Sequence, residues 1–338
     1  MNKRNRPIVL LMAALFAIIF IGSKSSFMIA GSKPNPDLKP ENVWKSEQIS
    51  VQTPGYITAT TFGGSISVMS HDKDEILIDI YVRENNKYIR SGEEASVRIS
   101  LETTEHGAVI KAEPVRSRGL LRRSPSVSVS YRMLVPEKTE VRANTSGGHI
   151  HVKDIDHNVT LVTSGGSVSA ANINGDVLAR TSGGPIKIRK VIGDVTARTS
   201  GGGIDITDVA GSLNARTSGG PIQVKNSSGV IDARTSGGPL TFDQVAGAIE
   251  GHTSGGPIRA TISSLKDHLI LKTSGGGIFV KLPANEEMTV NASGSSVQYD
   301  LPGFEGKSTR TSISGTVHGG GVPVELSTSG GSVRIETY

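Results

Sequence analysis

Basic side chains recur at one position of a repeating sequence and are the feature best suited to chemistry. Arginine occupies this position in four successive repeats, and histidine and lysine occupy it in the next two: Arg180, Arg198, Arg216, Arg234, His252 and Lys272. A guanidinium group offers a forked pair of N–H donors that fits a phosphate or a carboxylate. These six residues, the cationic column, are therefore predicted to bind an anionic polymer.

The cationic column also has a simpler interpretation as an ordinary solvated face. Asp232 and Glu250 lie two residues before Arg234 and His252, and salt screens exposed charges. The chain as a whole is basic, with 36 Lys and Arg against 31 Asp and Glu. Aromatic residues make up only 4% of the sequence, which argues against stacking on neutral sugars and favours recognition by charge.

A second basic cluster interrupts the first half of the chain. Its members are Arg116, Arg118, Arg122 and Arg123. We interpret the cluster as a surface loop. The alternative is a contact with anionic lipid or lipopolysaccharide, in which the intervening leucines form an apolar tip.

Metal binding is the next chemistry to consider. His149 and His151 flank an inward-facing isoleucine, and two histidines at i and i+2 of a strand can share a metal ion. Only one repeat carries them, and polar residues are expected at these positions in any case. Calcium-binding repeats need a recurring acidic ladder, and none is present. No metal and no cofactor are therefore predicted.

Catalysis is the third possibility. Enzymes built on β-helices gather carboxylates and basic residues in a groove. Asp205 and Asp208 share one repeat, but the next repeat places Gln223, Lys225 and Asn226 nearby, so paired carboxylates do not recur. The chain also lacks cysteine, which excludes disulfides and thiolate zinc sites. We predict that the protein is not an enzyme; a polysaccharide-acting β-helix enzyme is the least favoured alternative.

The elements that position these residues are copies of Thr-Ser-Gly-Gly. Seven copies begin 18 residues apart, from Thr145 to Thr253, and further copies begin at Thr273 and Thr328. Within one repeat, apolar and polar residues alternate on either side of the glycine pair, which predicts two short strands and a tight corner. A fixed short period indicates stacked units. The sequence therefore predicts an all-β protein, a parallel β-solenoid with two short strands per 18-residue coil.

The repeat phase also predicts which side chains point inward. The threonine of each copy is in phase with Val195 and Ala197, so we expect a buried row of hydroxyls that satisfies backbone groups at the corner. Prolines often follow the glycine pair, at a first strand position where a missing N–H does little harm: Pro185, Pro221, Pro239 and Pro257. After Thr273 the coils loosen, and Tyr299 is expected to keep the inward phase.

Four segments are predicted along the chain. Residues 1–30 combine a basic start with an apolar run, Ile8–Gly22, and form a signal peptide or signal anchor. Residues 31–42 form a proline-rich linker, residues 43–140 irregular early coils and an N-terminal cap, and residues 141–338 the Thr-Ser-Gly-Gly solenoid. We therefore expect an exported protein that is membrane-anchored, periplasmic or on the cell surface.

The motifs resemble those of a known family. The Gly-Gly-x-Ile-x-Val units, the strand Tyr131–Pro136, the Val280–Pro283 turn and the closing Gly-Gly-Ser-Val-Arg-Ile are similar to adhesin-like β-strand-repeat proteins of bacterial envelopes. This resemblance covers roughly Ile49 to Tyr338 and implies an exported or anchored domain of unknown function. It implies no catalytic residues.

Two function classes follow. In the first, the solenoid is a non-catalytic scaffold that binds an anionic envelope polymer, a surface glycan or an envelope protein through its outer faces. In the second, it is a structural or stress-response spacer that acts by protein–protein contact. No nucleic-acid partner is predicted, and the N-terminal segment is the predicted route to a membrane.

Overall fold

A computed structural model of the protein describes residues 38–115 and 126–338. The predicted signal segment and the basic loop at Arg116, Arg118, Arg122 and Arg123 lie outside the described residues. Within the described residues, regular structure consists of one 3-10 turn, Pro40–Asn42, and 28 β-strands. No helix in these two ranges is long and apolar enough to span a bilayer.

The strands fall into three groups along the chain. The N-terminal group is β1 (Lys45–Ser50), β2 (Gly55–Thr61), β3 (Ile66–His71), β4 (Glu75–Glu84), β5 (Lys87–Ile89), β6 (Val97–Thr103), β7 (Gly107–Pro114) and β8 (Val127–Pro136). The central group is β9 (Thr139–Thr145), β10 (Ile150–Ile155), β11 (Val159–Thr163), β12 (Val168–Asn174), β13 (Val177–Arg180), β14 (Ile186–Ile192), β15 (Val195–Arg198), β16 (Ile204–Ala210), β17 (Leu213–Arg216), β18 (Ile222–Lys225), β19 (Ser228–Arg234), β20 (Leu240–Thr253), β21 (Ile258–Thr273) and β22 (Ile278–Leu282). The C-terminal group is β23 (Met288–Ser293), β24 (Ser296–Asp300), β25 (Phe304–Ser308), β26 (Ser312–Val317), β27 (Val322–Thr328) and β28 (Ser332–Thr337).

The central strands form two parallel stacks, which confirms the predicted β-solenoid. Strands β10, β12, β14, β16 and β18 build one stack, and β9, β11, β13, β15, β17 and β19 build the other. Partners lie 18 residues apart, as in Ile186 with Ile204 and Val195 with Leu213. All four of these side chains are buried. Each coil therefore buries its apolar residues only because its neighbours cover them.

Each regular coil also contains a bend that the sequence reasoning did not identify. Lys190 and Asp208 have φ values of 54° and 58°, in the left-handed region, and the equivalent residues of four other coils share this conformation. The bend turns β14 and β16 so that Val191 and Val209 also point inward, both almost fully buried. The cross-section of the coil thus has a third, short side, which runs from Lys190 to Gly193 in one coil and from Asp208 to Gly211 in the next.

The Thr-Ser-Gly-Gly corner is held by contacts between neighbouring coils. The Thr199 hydroxyl donates to the Gly184 carbonyl of the preceding coil at 3.0 Å and accepts the Gly202 N–H of its own corner at 3.3 Å. A Cβ atom on Gly202 would lie 2.0 Å from the Gly184 oxygen. Only glycine therefore permits this approach, and the predicted buried hydroxyl row is confirmed.

At the N-terminal end, the order of the coils in space differs from their order in the chain. Strands β2 and β3 pair with β9 and β10 on one side and with β7 and β8 on the other, all in parallel. Strands β6 and β4 then add to β7 and β8 in antiparallel fashion. The first coil of the chain, β2 and β3, therefore lies between two other coils and is not the outermost layer of the stack.

The C-terminal end repeats this arrangement. Strands β27 and β28 lie between β21 and β22 on one side and β23 and β24 on the other. Tyr299 keeps the expected inward phase, because it is the register partner of the buried Ile335, but its side chain is still 38% exposed and its ring lies 5.2 Å from that of Phe304. The reason is that β24 belongs to the end coil, which has no further coil to cover that position.

The Thr199→Val substitution tests the corner. It keeps the side-chain shape but removes the hydroxyl that serves two backbone groups, so we expect a loss of about 1–3 kcal/mol in unfolding free energy. Ser200→Ala, at the exposed neighbouring position, is the matched control and should change stability by less than about 0.5 kcal/mol. Urea unfolding followed by circular dichroism measures both. Equal effects of the two substitutions would contradict the proposed role of the threonine.

Candidate functional site

The solenoid places the cationic column on the outer face of one strand stack. Arg180, Arg198, Arg216 and Arg234 are the last residues of β13, β15, β17 and β19, and they are direct neighbours in the parallel register. His252 and Lys272 continue the register on β20 and β21. Alternation along each strand puts all six side chains outside, because the residues on either side point into the core. The geometry of the column is as the sequence predicts.

Acidic neighbours neutralise the middle two members of the column. Arg216 and Arg234 both bind Asp232, at 3.0 and 2.7 Å, and Arg234 also binds Glu250 at 3.1 Å. The hydrogen bond to Asp232 raises the pKa of the Arg234 guanidinium above its usual value. These two arginines are therefore held in a local ion-pair network and are less available to a ligand.

The last two members of the column add little positive charge at neutral pH. Lys272 binds Glu325 at 2.8 Å. His252 is half-buried, and its Nδ1 atom has no hydrogen-bond partner among the described residues. Burial, followed by the nearby Arg234, lowers the pKa of His252 below its usual 6.5. The neutral imidazole is therefore its main form at pH 7.

Arg180 and Arg198 differ from the rest of the column. Both are exposed, and neither side chain makes a hydrogen bond or an ion pair with any described residue. Their side-chain roots are about 4.8 Å apart, the spacing between neighbouring strands. At that distance two unit charges repel by about 0.9 kcal/mol in bulk water. We call Arg180 and Arg198 the unpaired arginines.

Serine hydroxyls accompany the unpaired arginines. Ser182 and Ser200 follow them by two residues, at the exposed part of the corner. The backbone N–H of each serine donates to the carbonyl of the equivalent serine in the preceding coil, at 3.1 and 3.2 Å. The backbone of this strip is thus fixed while its arginine and serine side chains face solvent. Two guanidinium groups and two hydroxyls on a rigid support are suited to bind successive anionic groups.

The two histidines that could share a metal ion, His149 and His151, lie in different local environments. The Nδ1 atom of His149 accepts a hydrogen bond from the backbone N–H of Ser167 at 3.1 Å. Burial, followed by the charge of Lys153, lowers the pKa of His151. Within residues 38–115 and 126–338, no group of three or more potential metal ligands is found.

A shallow groove of about 660 Å³ follows the short side of the coils. Two of its aspartates are held by amides of the next coil: Asn172 donates to Asp154 at 2.6 Å, and Asn226 donates to Asp208 at 3.2 Å. These bonds therefore link the bends of two pairs of neighbouring coils. Asp205, which shares a repeat with Asp208, lies near Arg189, at 3.9 Å.

Residues 57–336 match the family model described as Toastrack DUF4097. Two solved structures are similar at 10% identity. One is a candidate cell adhesion protein from Clostridium sporogenes, with a TM-score of 0.20, covering 87% of this chain and 99% of the other. The second is a candidate adhesin from Bacteroides fragilis, with a TM-score of 0.36, covering 87% and 96%. A search of curated proteins finds no significant match.

The charge state of His252 gives a test of the column's electrostatics. Its folded-state pKa is lowered from 6.5, so below about pH 6.5 the unfolded chain binds the proton more readily and the contribution of this residue to stability falls. An NMR titration of the imidazole should show a midpoint below 6.5. Arg234→Gln should raise the midpoint, because it removes a neighbouring positive charge. A midpoint at or above 6.5 in the parent protein would contradict this account.

Proposed function

The chain belongs to the Toastrack DUF4097 family, and we propose that it is a non-catalytic protein of the cell envelope that binds an anionic surface polymer. Family membership confirms the resemblance to β-strand-repeat domains that the repeat motifs indicated. The polymer would carry phosphate or carboxylate groups, as lipopolysaccharide and teichoic acids do. The unpaired arginines, Arg180 and Arg198, would be the centre of the binding surface.

The observation that supports this proposal is the contrast within the cationic column. Like charges on neighbouring strands are destabilising, and a protein commonly relieves them with acidic partners. Asp232 and Glu250 do so for Arg216 and Arg234. Arg180 has no such partner among the described residues, nor does Arg198. An external anion would supply the negative charge that the coils of Arg180 and Arg198 lack beside these arginines.

A linear polymer suits the shape of this surface. The coils stack along one axis, so the unpaired arginines and the neighbouring hydroxyls form a straight strip rather than a pocket. Exposed single ion pairs contribute only about 0–1 kcal/mol each. Useful affinity would therefore come from several anionic groups on one chain that bind at once, and it would weaken as salt rises.

The experiment compares two double variants that remove the same charge. Arg180→Ser with Arg198→Ser should weaken binding of purified lipopolysaccharide or glycerol-phosphate teichoic acid by about tenfold, which corresponds to about 1.4 kcal/mol. Arg216→Ser with Arg234→Ser should have a smaller effect, because those arginines are already neutralised. Biolayer interferometry at low and at physiological salt measures both variants.

Stability provides the matching control. The first double variant should melt at the same temperature as the parent or slightly higher, because repulsion is removed. The second should melt slightly lower, because it leaves Asp232 without its partners. Equal losses of binding in both variants would show that only net charge matters, and absence of binding by the parent at low salt would refute the proposal and favour the spacer function.

The proposed location rests on residues 1–30, which lie outside the described structure. The basic start and the run Ile8–Gly22 predict export, and the linker 31–42 would hold the solenoid away from a membrane. Cell fractionation of a tagged protein should find it in the membrane or exported fraction. A variant that lacks residues 1–30 should stay in the cytoplasm. A full-length soluble cytoplasmic product would contradict export.

A further inference from the structure

The two ends of the solenoid have steps of opposite sense. At the C-terminal end, the stack that carries the cationic column, here called the arginine stack, continues past β23 with β26 and then β25. The second stack ends there at β24, which pairs only with β28 among the described strands. At the N-terminal end the arginine stack ends at β6, whereas the second stack continues past β4 with β1. The stack that projects at one end is thus recessed at the other.

At the C-terminal step, β25 is a strand with one free edge. The Thr309 N–H donates to the Ser312 carbonyl at 2.8 Å, and hydrogen-bonded pairs recur at every second residue of an antiparallel ladder. The backbone groups of Gly306 and Ser308 therefore point away from β26. No other described strand pairs with β25, so these groups have no hydrogen-bond partner in the described part of the chain.

At the N-terminal step, β6 has a free edge of the same kind. The Thr104 N–H donates to the Gly107 carbonyl at 2.8 Å, so by the same alternation the backbone groups of Leu101 and Thr103 point away from β7. The side chains of Ile99 and Leu101 pack against the core but are only half-buried. A strand added at this edge would bond to the backbone and cover these side chains further.

The two free edges match when a second copy of the chain continues the solenoid. The register, followed from strand to strand, puts Ser308 and Leu101 in the same inward row, that of Ala197. Gly306 and Thr103 share the inward row before it. Strand β25 runs in the direction of the coils and β6 runs against them, so the new pair would be antiparallel. Residues with free backbone groups would then face each other.

Opposite charges meet in this register. Lys307 lies between Gly306 and Ser308, so it would face Glu102 of the second copy. Both side chains are exposed, and neither makes a hydrogen bond or an ion pair with any described residue. Within one molecule they lie at opposite ends of the solenoid and cannot meet. Cross-strand pairs of opposite charge stabilise a sheet, so a second copy offers each of them a partner.

We propose that copies of this chain associate head to tail, with the free edge of β25 in one copy bonded to the free edge of β6 in the next. The recess beside β25 gives room for the projecting β1 of the next copy. Two β6 edges could not pair with each other, because each projecting β1 would collide with the other copy. A head-to-tail contact uses different surfaces on the two partners, so it repeats and builds a linear chain of molecules. It does not involve the cationic column.

Disulfide trapping in the full-length protein tests this contact, because the chain has no cysteine of its own. Glu102→Cys with Lys307→Cys places thiols at a non-hydrogen-bonded pair, where Cα atoms lie about 4.5 Å apart, within reach of a disulfide. Mild oxidation should give a ladder of dimers, trimers and longer chains on a non-reducing gel. Arg98→Cys with Lys307→Cys is the matched control, because position 98 lies about 13 Å further along β6, and it should give no ladder.

Charge exchange provides a second test. Lys307→Glu places two carboxylates opposite each other and should weaken association about tenfold or more, and Glu102→Lys should do the same with two ammonium groups. The double variant restores an opposite pair and should associate as the parent does. Sedimentation velocity of the four proteins in a mild detergent, at equal concentrations, measures the effect. Arg180→Ser with Arg198→Ser should leave association unchanged, which separates this contact from the proposed polyanion surface.

Several results would overturn the proposal. One is a cysteine pair at positions 102 and 307 that forms no cross-link or stops at dimers, and another is an equal ladder from the control pair. Failure of the charge-exchanged double variant to recover association would also overturn it. If Lys307→Glu alone abolished association and Glu102→Lys had no effect, the contact would instead join two β25 edges, where Lys307 faces Glu305 of the other copy.

Discussion

The close approach of backbones at the Thr-Ser-Gly-Gly corner is the constraint on which the rest of the structure depends. The second glycine of each corner packs so tightly on the one before it that no side chain fits, and the threonine hydroxyl joins the two. This contact fixes the spacing and the register of the coils at once. Because the register is fixed, every position in the repeat becomes a straight row of side chains: the buried aliphatic residues, the cationic column and the prolines are all consequences of one corner.

A stack of identical coils leaves open strand edges at both ends, and such edges invite pairing with other chains. This protein covers them by placing the first and last coils of the chain one layer inside the stack. At the N-terminal end β7 and β8 cover β2 and β3, and at the C-terminal end β23 and β24 cover β27 and β28. Unravelling of the last two strands, β27 and β28, would therefore require two interfaces to separate, whereas the outer strand β1 pairs only with β4.

The sequence predicts the central coils well because every repeat supplies the same information. The period, the inward phase of Ala197 and the buried threonines all follow from alternation within 18 residues. The bend at Lys190 escapes this reasoning because lysine, aspartate, asparagine and glutamine all occupy it, and only the frequency of asparagine and aspartate hints at left-handed backbone. The exchange of coils at the ends, and with it the exposure of Tyr299, depends on pairing between distant segments that no local pattern records.

The same limit explains what sequence alone could say about binding. It predicts that six cationic residues lie in one row, but which of them have partners depends on contacts between coils, such as Arg216 with Asp232 sixteen residues later. Most rows of equivalent side chains in this structure stabilise the stack of coils. Positions where one coil differs from its neighbours are therefore the most informative about function. Arg180 and Arg198 depart by lacking the acids that neutralise their neighbours. This departure leaves two guanidinium groups of the rigid stack without partners among the described residues, and an anion would satisfy them without any rearrangement of the fold.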